Sequence, residues 1–591
     1  MSNKKTDLKS GSAFNWSLFS RIAGLAGPYK SKFVLAIGLT VSMAILGPLR
    51  PFLIQYTLDN QVANADVNGL WMMSALILST LLIHTAIQFN STLLSNQLAQ
   101  QIIFDLRNKV YKHLNSLQIR FFDKTPVGTL VTRSISDIET ISEIFSEGLI
   151  NIIGDSLQII VILILMLSTD WKLSLVSLSV LPFLMYAGYV FKESVKASFE
   201  DVRNQVARLN TFVQEHITGM QIVQIFNRED SEYKKFESIN KSHRDANIKS
   251  VFYYSVFFPI VEVISAISIG LIVWYGARGV MDESTSVGTL VAFIMYINLF
   301  FRPIRQLADR FNNLQMGMVA SERIFKLLDD DSDKESTAKP ITERLKGDVI
   351  FKDVWFEYKK DEPVLKGINF HLKEGHNLAL VGATGAGKSS IINLLSKFYP
   401  IKSGDILIGN ESIMQVSNTD LRKQIAVVLQ DVFLFSGSIL DNIRLYKPEI
   451  GEEIIVETAK KLGAHDFISR LPNQYHQEVH ERGATLSVGQ RQLISFVRAM
   501  VSNPSILVLD EATSSIDHET EEVIQSAIKV MMQGRTSIII AHRLSTIQDA
   551  DEILVLDKGE IVERGNHYSL LEQNGNYRNL YETQFKMIEK Q

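Results

Sequence analysis

The sequence predicts two unlike halves, an all-α membrane half of six helices and, fused after it, a soluble α/β half. Two observations carry that prediction. The first ~310 residues hold apolar runs of bilayer length. The last ~250 alternate short apolar strands with helical patterns and contain a glycine-rich loop between a strand and a helix. At 591 residues the chain is too long for a single core. A formal net charge of −4 gives no support for nucleic acid as a partner. Cysteine is absent, which excludes disulfides and thiolate metal sites.

The membrane half comes first. Candidate spans lie near 33–57, 70–96, 148–168, 172–192, 252–276 and 288–308. The third holds an uninterrupted run from Ile159 to Leu167. One such stretch could be a buried soluble helix, but six joined by short connections read as spans. Lys4, Lys5, Lys9, Arg21, Lys30 and Lys32 precede the first span, whereas Leu58–Asn68 carries Asp59 and Asp66 and no basic residue. The N-terminus is therefore expected inside and that loop outside. The other outward connections are short, around Thr169-Asp170 and Gly279–Ser286. The inward ones, about 97–147 and 193–251, are polar and helix-compatible, so the spans are expected to run on well past the membrane. Residues 1–13 read as disordered and lack a signal-peptide pattern. Phe14, Trp16, Leu18, Phe19 and Ile22 suggest a short amphipathic helix, either interfacial or packed on protein.

Asp329–Thr337 is acidic and poor in large apolar residues, a linker pattern. This places a membrane domain over 14–328, a linker over 329–346 and a soluble domain over 347–591. Strand-like segments follow at Val349–Phe351, Val354–Tyr358 and Leu378–Val381. The last leads into Gly382-Ala383-Thr384-Gly385-Ala386-Gly387-Lys388-Ser389, with Ser390 opening a helical run. Glycines allow tight turns that aim backbone N–H groups at a phosphate, and a helix N-terminus adds partial positive charge. Lys388 can reach terminal phosphates, and the Ser389 hydroxyl can ligate Mg²⁺. Further on, Ser505–Leu509 is a buried strand pattern ending in Asp510 and Glu511. One acid can hold Mg²⁺ through water and the other can orient or deprotonate an attacking water. Together these point to hydrolysis of a nucleoside triphosphate.

Between them lies Leu486-Ser487-Val488-Gly489-Gln490. With this signature upstream of the acidic strand, the chain resembles the ATP-binding cassette transporters, and more closely the bacterial half-size exporters of multidrug or lipid type. Gln430 matches the family's Q-loop glutamine, Asp517 its D-loop and His542 its switch histidine. Tyr358 falls at the adenine-stacking aromatic, and Glu478–Gly483 looks like the extra exporter loop. Phe121–Gly128 with Asp137–Glu139, and Gly219-Met220 with Phe226–Glu229, resemble the two cytoplasmic loops of such exporters.

The resemblance implies a type IV, domain-swapped six-helix transmembrane domain fused to a cytoplasmic P-loop ATPase, in the cell membrane. It implies a dimer in which each nucleotide meets the P-loop of one chain and the signature of the other. Ser487, Gly489, Gln490 and Asp517 would then serve the partner's ATP, Glu511 would be the general base, His542 would sense the γ-phosphate, and Gln430 would approach Mg²⁺ and the attacking water. Val488 departs from the family glycine. A β-branched residue tolerates positive φ poorly, so a distorted signature is expected if the glycine's freedom is needed. The altered signature also resembles one member of some heterodimeric pairs, which leaves an identical and a paralogous partner both open.

Arg50, His84, Gln88, Asp155, Glu262 and Arg302 lie inside spans, where polar groups face a cavity or a partner. Glu262, with Ser265 and Ser268, suggests a place for a cationic drug. The leading function is ATP-driven export of amphipathic small molecules. The runner-up is a lipid or lipid-conjugate flippase of the same fold, and an ATP-gated channel or regulator is a remote third.

Overall fold

The computed structural model describes residues 16–330, 344–445, 447, 449–480, 483–510, 518–540 and 547–584. It divides into two compact units, one formed by the membrane half without Ser116–Pro126 and the other by Ser116–Pro126 together with the α/β half.

In the first unit, α1 (Trp16–Gly24) leads into α2 (Lys30–Tyr56), followed by α3 (Val67–Asn115). After the loop helix α4 (Ile119–Lys124), which belongs to the second unit, come α5 (Leu149–Thr169), α6 (Trp171–Leu178), α7 (Leu181–Thr218), α8 (Glu229–Met281) and α9 (Val287–Leu328). Among the described residues six helical stretches are long and apolar enough to cross a membrane. The expected overrun is real: α8 has 53 residues, on the order of 80 Å at 1.5 Å per residue, against a hydrocarbon core of ~30 Å.

Lipid offers no hydrophobic drive between helices, so close backbone approach holds them together. On α2 the buried residues Ala36, Thr40, Ala44 and Pro48 recur every fourth position. Thr40 lies within hydrogen-bond distance of Ser91 on α3, Oγ to Oγ 3.2 Å. A Cβ at Gly154 of α5 would stand 2.4 Å from the Thr40 methyl, so a larger residue there would force these helices apart. Elsewhere aromatic rings fill the seams, as where Phe191 of α7 stacks on Phe257 of α8 with centroids 3.9 Å apart.

The short turns between spans are capped. Asp170 accepts from the Lys172 and Leu173 N–H groups and from Thr285 Oγ. Asp59 accepts from Ser286 Oγ at 2.6 Å and Gly288 N at 2.9 Å, tying the end of the first span to the start of α9. At the other end α1 packs on protein: Ile22 is buried, and Arg21 makes a forked ion pair with Asp329 and lies over the Phe325 ring.

In the second unit an antiparallel sheet has the order β2-β1-β4-β5 (Glu362–Leu372, Val349–Lys359, Ser403–Ile408, Glu411–Ser412). The central sheet is ordered β12-β11-β3-β10-β9-β6, with β3 Asn377–Gly382, β6 Ile425–Val428, β9 Ile506–Asp510, β10 Thr536–Ile540, β11 Glu552–Asp557 and β12 Glu560–Gly565. All its neighbours are parallel except β11–β12. Alternation puts Ala379, Leu507, Leu509 and Ile539 in one core and Leu378, Leu380, Val508 and Ile538 in another. A sheet buried on both faces needs such unbroken apolar strands. The segments 349–351 and 354–358, expected as two strands, are one strand with bulges near Asp353, whose φ is +45°. The bulge re-aims the chain without ending the pairing.

Candidate ATP site

The parallel register brings four strand ends to one edge. Gly382 ends β3, Ile540 ends β10 opposite both Leu380 and Asp510, and Val428 ends β6 opposite Leu509. In open α/β sheets the carboxyl edge is where ligands bind. At this edge the chain turns through 383–387 into helix α10 (Lys388–Leu395). Gly382 has φ +153°, and a Cβ there would meet the Leu556 carbonyl oxygen at 2.2 Å. Gly387 caps α10 with φ +106°, and a Cβ there would stand 2.6 Å from a Leu365 methyl. Only glycine serves at these two turns.

Lys388 is buried and donates to the carbonyls of Gly382 at 2.6 Å and Ala383 at 2.9 Å, so its ammonium sits across the mouth of the loop. Burial holds its pKa below the usual lysine range, and the nearby Asp510 carboxylate partly opposes that. Ala383, Thr384, Gly385 and Ser389 are exposed around it, Ala386 is buried behind, and Asp510 is half-buried at the tip of β9. Gln430, exposed two residues beyond β6, emerges beside that tip. The expected base Glu511, the D-loop Asp517 and His542 lie outside the described residues.

Tyr358, on the last turn of β1, is about one-third exposed. Its hydroxyl lies 3.2 Å from Ser390 Oγ and accepts from Asn393 Nδ2 at 3.2 Å, fixing the ring beside α10. The Tyr399 ring meets it edge-on at 5.0 Å, and the Tyr399 hydroxyl donates to Asp123 of α4. Burial and that carboxylate raise the Tyr399 pKa above the usual phenol range. No motif reading could find Tyr399, because its partner is distant in sequence and only the fold joins them.

The signature stands at the start of α13 (α11, Ile439–Arg444, and α12, Glu452–Lys461, precede it), which runs from Val488 to Val501. Ser487 is its N-cap. Ser487 Oγ accepts from Gln490 N at 3.2 Å, and Gln490 Oε1 accepts from Ser487 N at 3.0 Å, a reciprocal capping box. Arg491 braces the preceding loop by donating to the Leu486 carbonyl at 2.9 Å. The expected distortion at Val488 does not arise. Val488 is the first helical residue, has no positive φ, and points its side chain outward, while Gly489 behind it is buried. The position needs ordinary helical backbone, which valine adopts. In the extra loop, Glu478-Val479 pairs as β8 with Gly437-Ser438 as β7.

Comparison with known proteins agrees with this geometry. The family model described as ABC transporter transmembrane region matches residues 33–304, and that described as ABC transporter matches 365–514. The chain belongs to the ABC transporter family. It is 37% identical over 580 residues to "Uncharacterized ABC transporter ATP-binding protein YknV" of Bacillus subtilis (strain 168), covering 97% of this chain and 95% of that protein. It is 37% identical over 531 residues to the B. subtilis "Probable multidrug resistance ABC transporter ATP-binding/permease protein YheH", covering 89% and 78%. It is 34% identical over 576 residues to the "ATP-dependent lipid A-core flippase" of Syntrophus aciditrophicus (strain SB), covering 96% and 95%. This ABC transporter is therefore a multi-pass membrane exporter of half-size layout, with an ATP-binding cassette whose hydrolysis is coupled to transport and a layout that requires dimerisation.

Within its membrane half, Arg50, His84, Gln88, Asp155 and Arg302 line one cavity. Glu262 does not line it. Glu262 is exposed on α8, whereas Ser265 and Ser268 are buried, and Ser268 donates to the Ser177 carbonyl at 2.7 Å.

Proposed function

We propose that this chain works as a homodimer that exports amphipathic small molecules across the cell membrane, with its N-terminus and cassette cytoplasmic. The observation that carries the reading is the shared strand edge where Lys388, Asp510 and Gln430 converge on a glycine loop, in a chain that also has six membrane-length helices. The domain limits proposed are 14–328, 329–346 and 347–591.

At each site Tyr358 stacks on adenine, and residues 382–390 wrap the phosphates. Lys388 leaves its carbonyl partners for the β- and γ-phosphates. Ser389, Gln430 and, through water, Asp510 are the residues that would hold Mg²⁺; the oxygen donors suit a hard cation. When bound, the ion neutralises charge that develops on the phosphates. Glu511 takes the proton of the attacking water, and His542 reads the γ-phosphate. Ser487, Gly489, Gln490 and Asp517 complete the other chain's site. Ser487 Oγ keeps its own O–H to donate while its lone pair caps α13. ATP favours the closed pair of cassettes through its differential affinity for that state, and hydrolysis removes the preference.

The intact cap and helical Val488 support an identical partner, since nothing in the local geometry marks the signature as impaired. A lipid or lipid-conjugate flippase is the second reading, supported by the name of the Syntrophus relative and by the polar lining of the membrane cavity. The test is ATP-driven movement of a fluorescent amphiphile, compared with a labelled lipid, in proteoliposomes. Movement of neither, with sustained ATPase, would overturn both readings in favour of a channel or regulator.

A further inference from the structure

The cavity of about 610 Å³ in the membrane half carries a charge pattern that the exporter reading alone does not explain. Among the described side chains its wall includes three arginines, Arg50, Arg302 and Arg310, and one carboxylate, Asp155. Arg310 and Asp155 face each other at 2.6 Å and neutralise one another. Among the described residues no carboxylate lies within ion-pair distance of Arg50 or Arg302. At about 1.5 Å per residue, His84 and Arg302 lie roughly 25 Å and 22 Å along their helices from Val67 and Val287, within the membrane-length stretches. Isolated cations at that depth are costly and are kept where something compensates them. Hydroxyls and amides such as Ser91 and Gln88 line the same space, so it suits a hydrated, multiply hydrogen-bonded anion better than an alkyl chain. Its size suits a small-molecule headgroup.

We propose that this cavity binds the anionic headgroup, a phosphate or carboxylate, of the exported amphipath, with Arg50 and Arg302 reading its charge. The inference rests on the exporter function and reverses the expectation of a cationic drug at Glu262. Guanidinium forks match such oxyanions bidentately, which an ammonium cannot do.

The test uses the full-length protein in phosphatidylcholine nanodiscs and three amphipaths with one dodecyl chain: dodecyl phosphate, dodecylphosphocholine and dodecyltrimethylammonium. Binding without nucleotide and stimulation of ATPase are both read. Dodecyl phosphate should bind at least about tenfold more tightly than the cation. Arg302→Glu and Arg50→Glu should each weaken dodecyl phosphate by about tenfold or more and narrow or invert the preference. Arg302→Lys should keep the sign of the preference, and it preserves a readout if a charge reversal fails to fold. Equal or tighter binding of the cation, or a preference unmoved by either reversal, would overturn the proposal. Replacing part of the phosphatidylcholine with phosphatidylglycerol separates the sources. Competition with dodecyl phosphate assigns the headgroup to a bilayer lipid, and its absence assigns it to another anionic amphiphile; either supports the shared chemistry. Anion-selective binding with no stimulation and no ATP-driven movement would sink the exporter reading and leave the charge assignment standing.

Discussion

Two side chains decide most at the residue scale. Lys388 is a buried ammonium held below its usual pKa by desolvation and satisfied by two carbonyls of its own loop. Desolvation costs its charged form stability relative to a lysine in water, and anionic phosphates would offset that cost. Lys388→Ala is expected to weaken ATP binding by roughly 10- to 100-fold, the scale of one charge-assisted hydrogen-bonded contact. Calorimetric titration with ATP checks this, and unchanged affinity would remove Lys388 from the site. Val488 tests the opposite kind of claim. Because it sits on helical backbone with its side chain outward, Val488→Gly restores no needed conformation and only loosens the first turn of α13. The expected result is a stability loss of no more than about 1 kcal/mol by thermal unfolding. No large gain in ATPase should accompany it. A severalfold gain would show that the family glycine's freedom matters here.

Packing between elements carries the next set of claims. Tyr399 touches the Tyr358 ring on one side and Asp123 of α4 on the other. That contiguous path gives adenine occupancy a physical route to the loop helix. Tyr399→Phe keeps the ring contact and removes the hydrogen bond. ATP affinity should hold while the substrate-driven increment of ATPase falls severalfold, and full stimulation in the variant would rule the path out. Asp59 is a structural counterpart at the end of the first span. Asp59→Ala removes two acceptor contacts at the start of α9 and should cost about 1–2 kcal/mol, read as a lowered Tm in detergent. Sequence reading was strong where a pattern is local. The six spans, the strand–loop–helix order and the signature motif each depend on neighbours within a few turns. It failed where the answer lies in packing. Whether Val488 strained its turn depended on which backbone region the position uses. That Ser265 and Ser268 are buried while Glu262 is exposed depended on which face of α8 packs. Arg310 escaped notice because its partner, Asp155, lies on another helix.

For the whole molecule the central claim is that this chain alone builds a working transporter, using its own signature to complete its own copy's ATP site. Glu511 carries the catalytic part of that claim, and Ser487 with Gly489 the part made across the dimer. Both can be tested together. The chain would be purified alone into lipid nanodiscs beside Glu511→Gln, with the particle mass measured on the same samples. The account expects dimers with sustained ATPase that the substitution abolishes while ATP binding persists. Monomers, or dimers without turnover, would contradict it and would mean that a different partner chain must supply the missing half of each site.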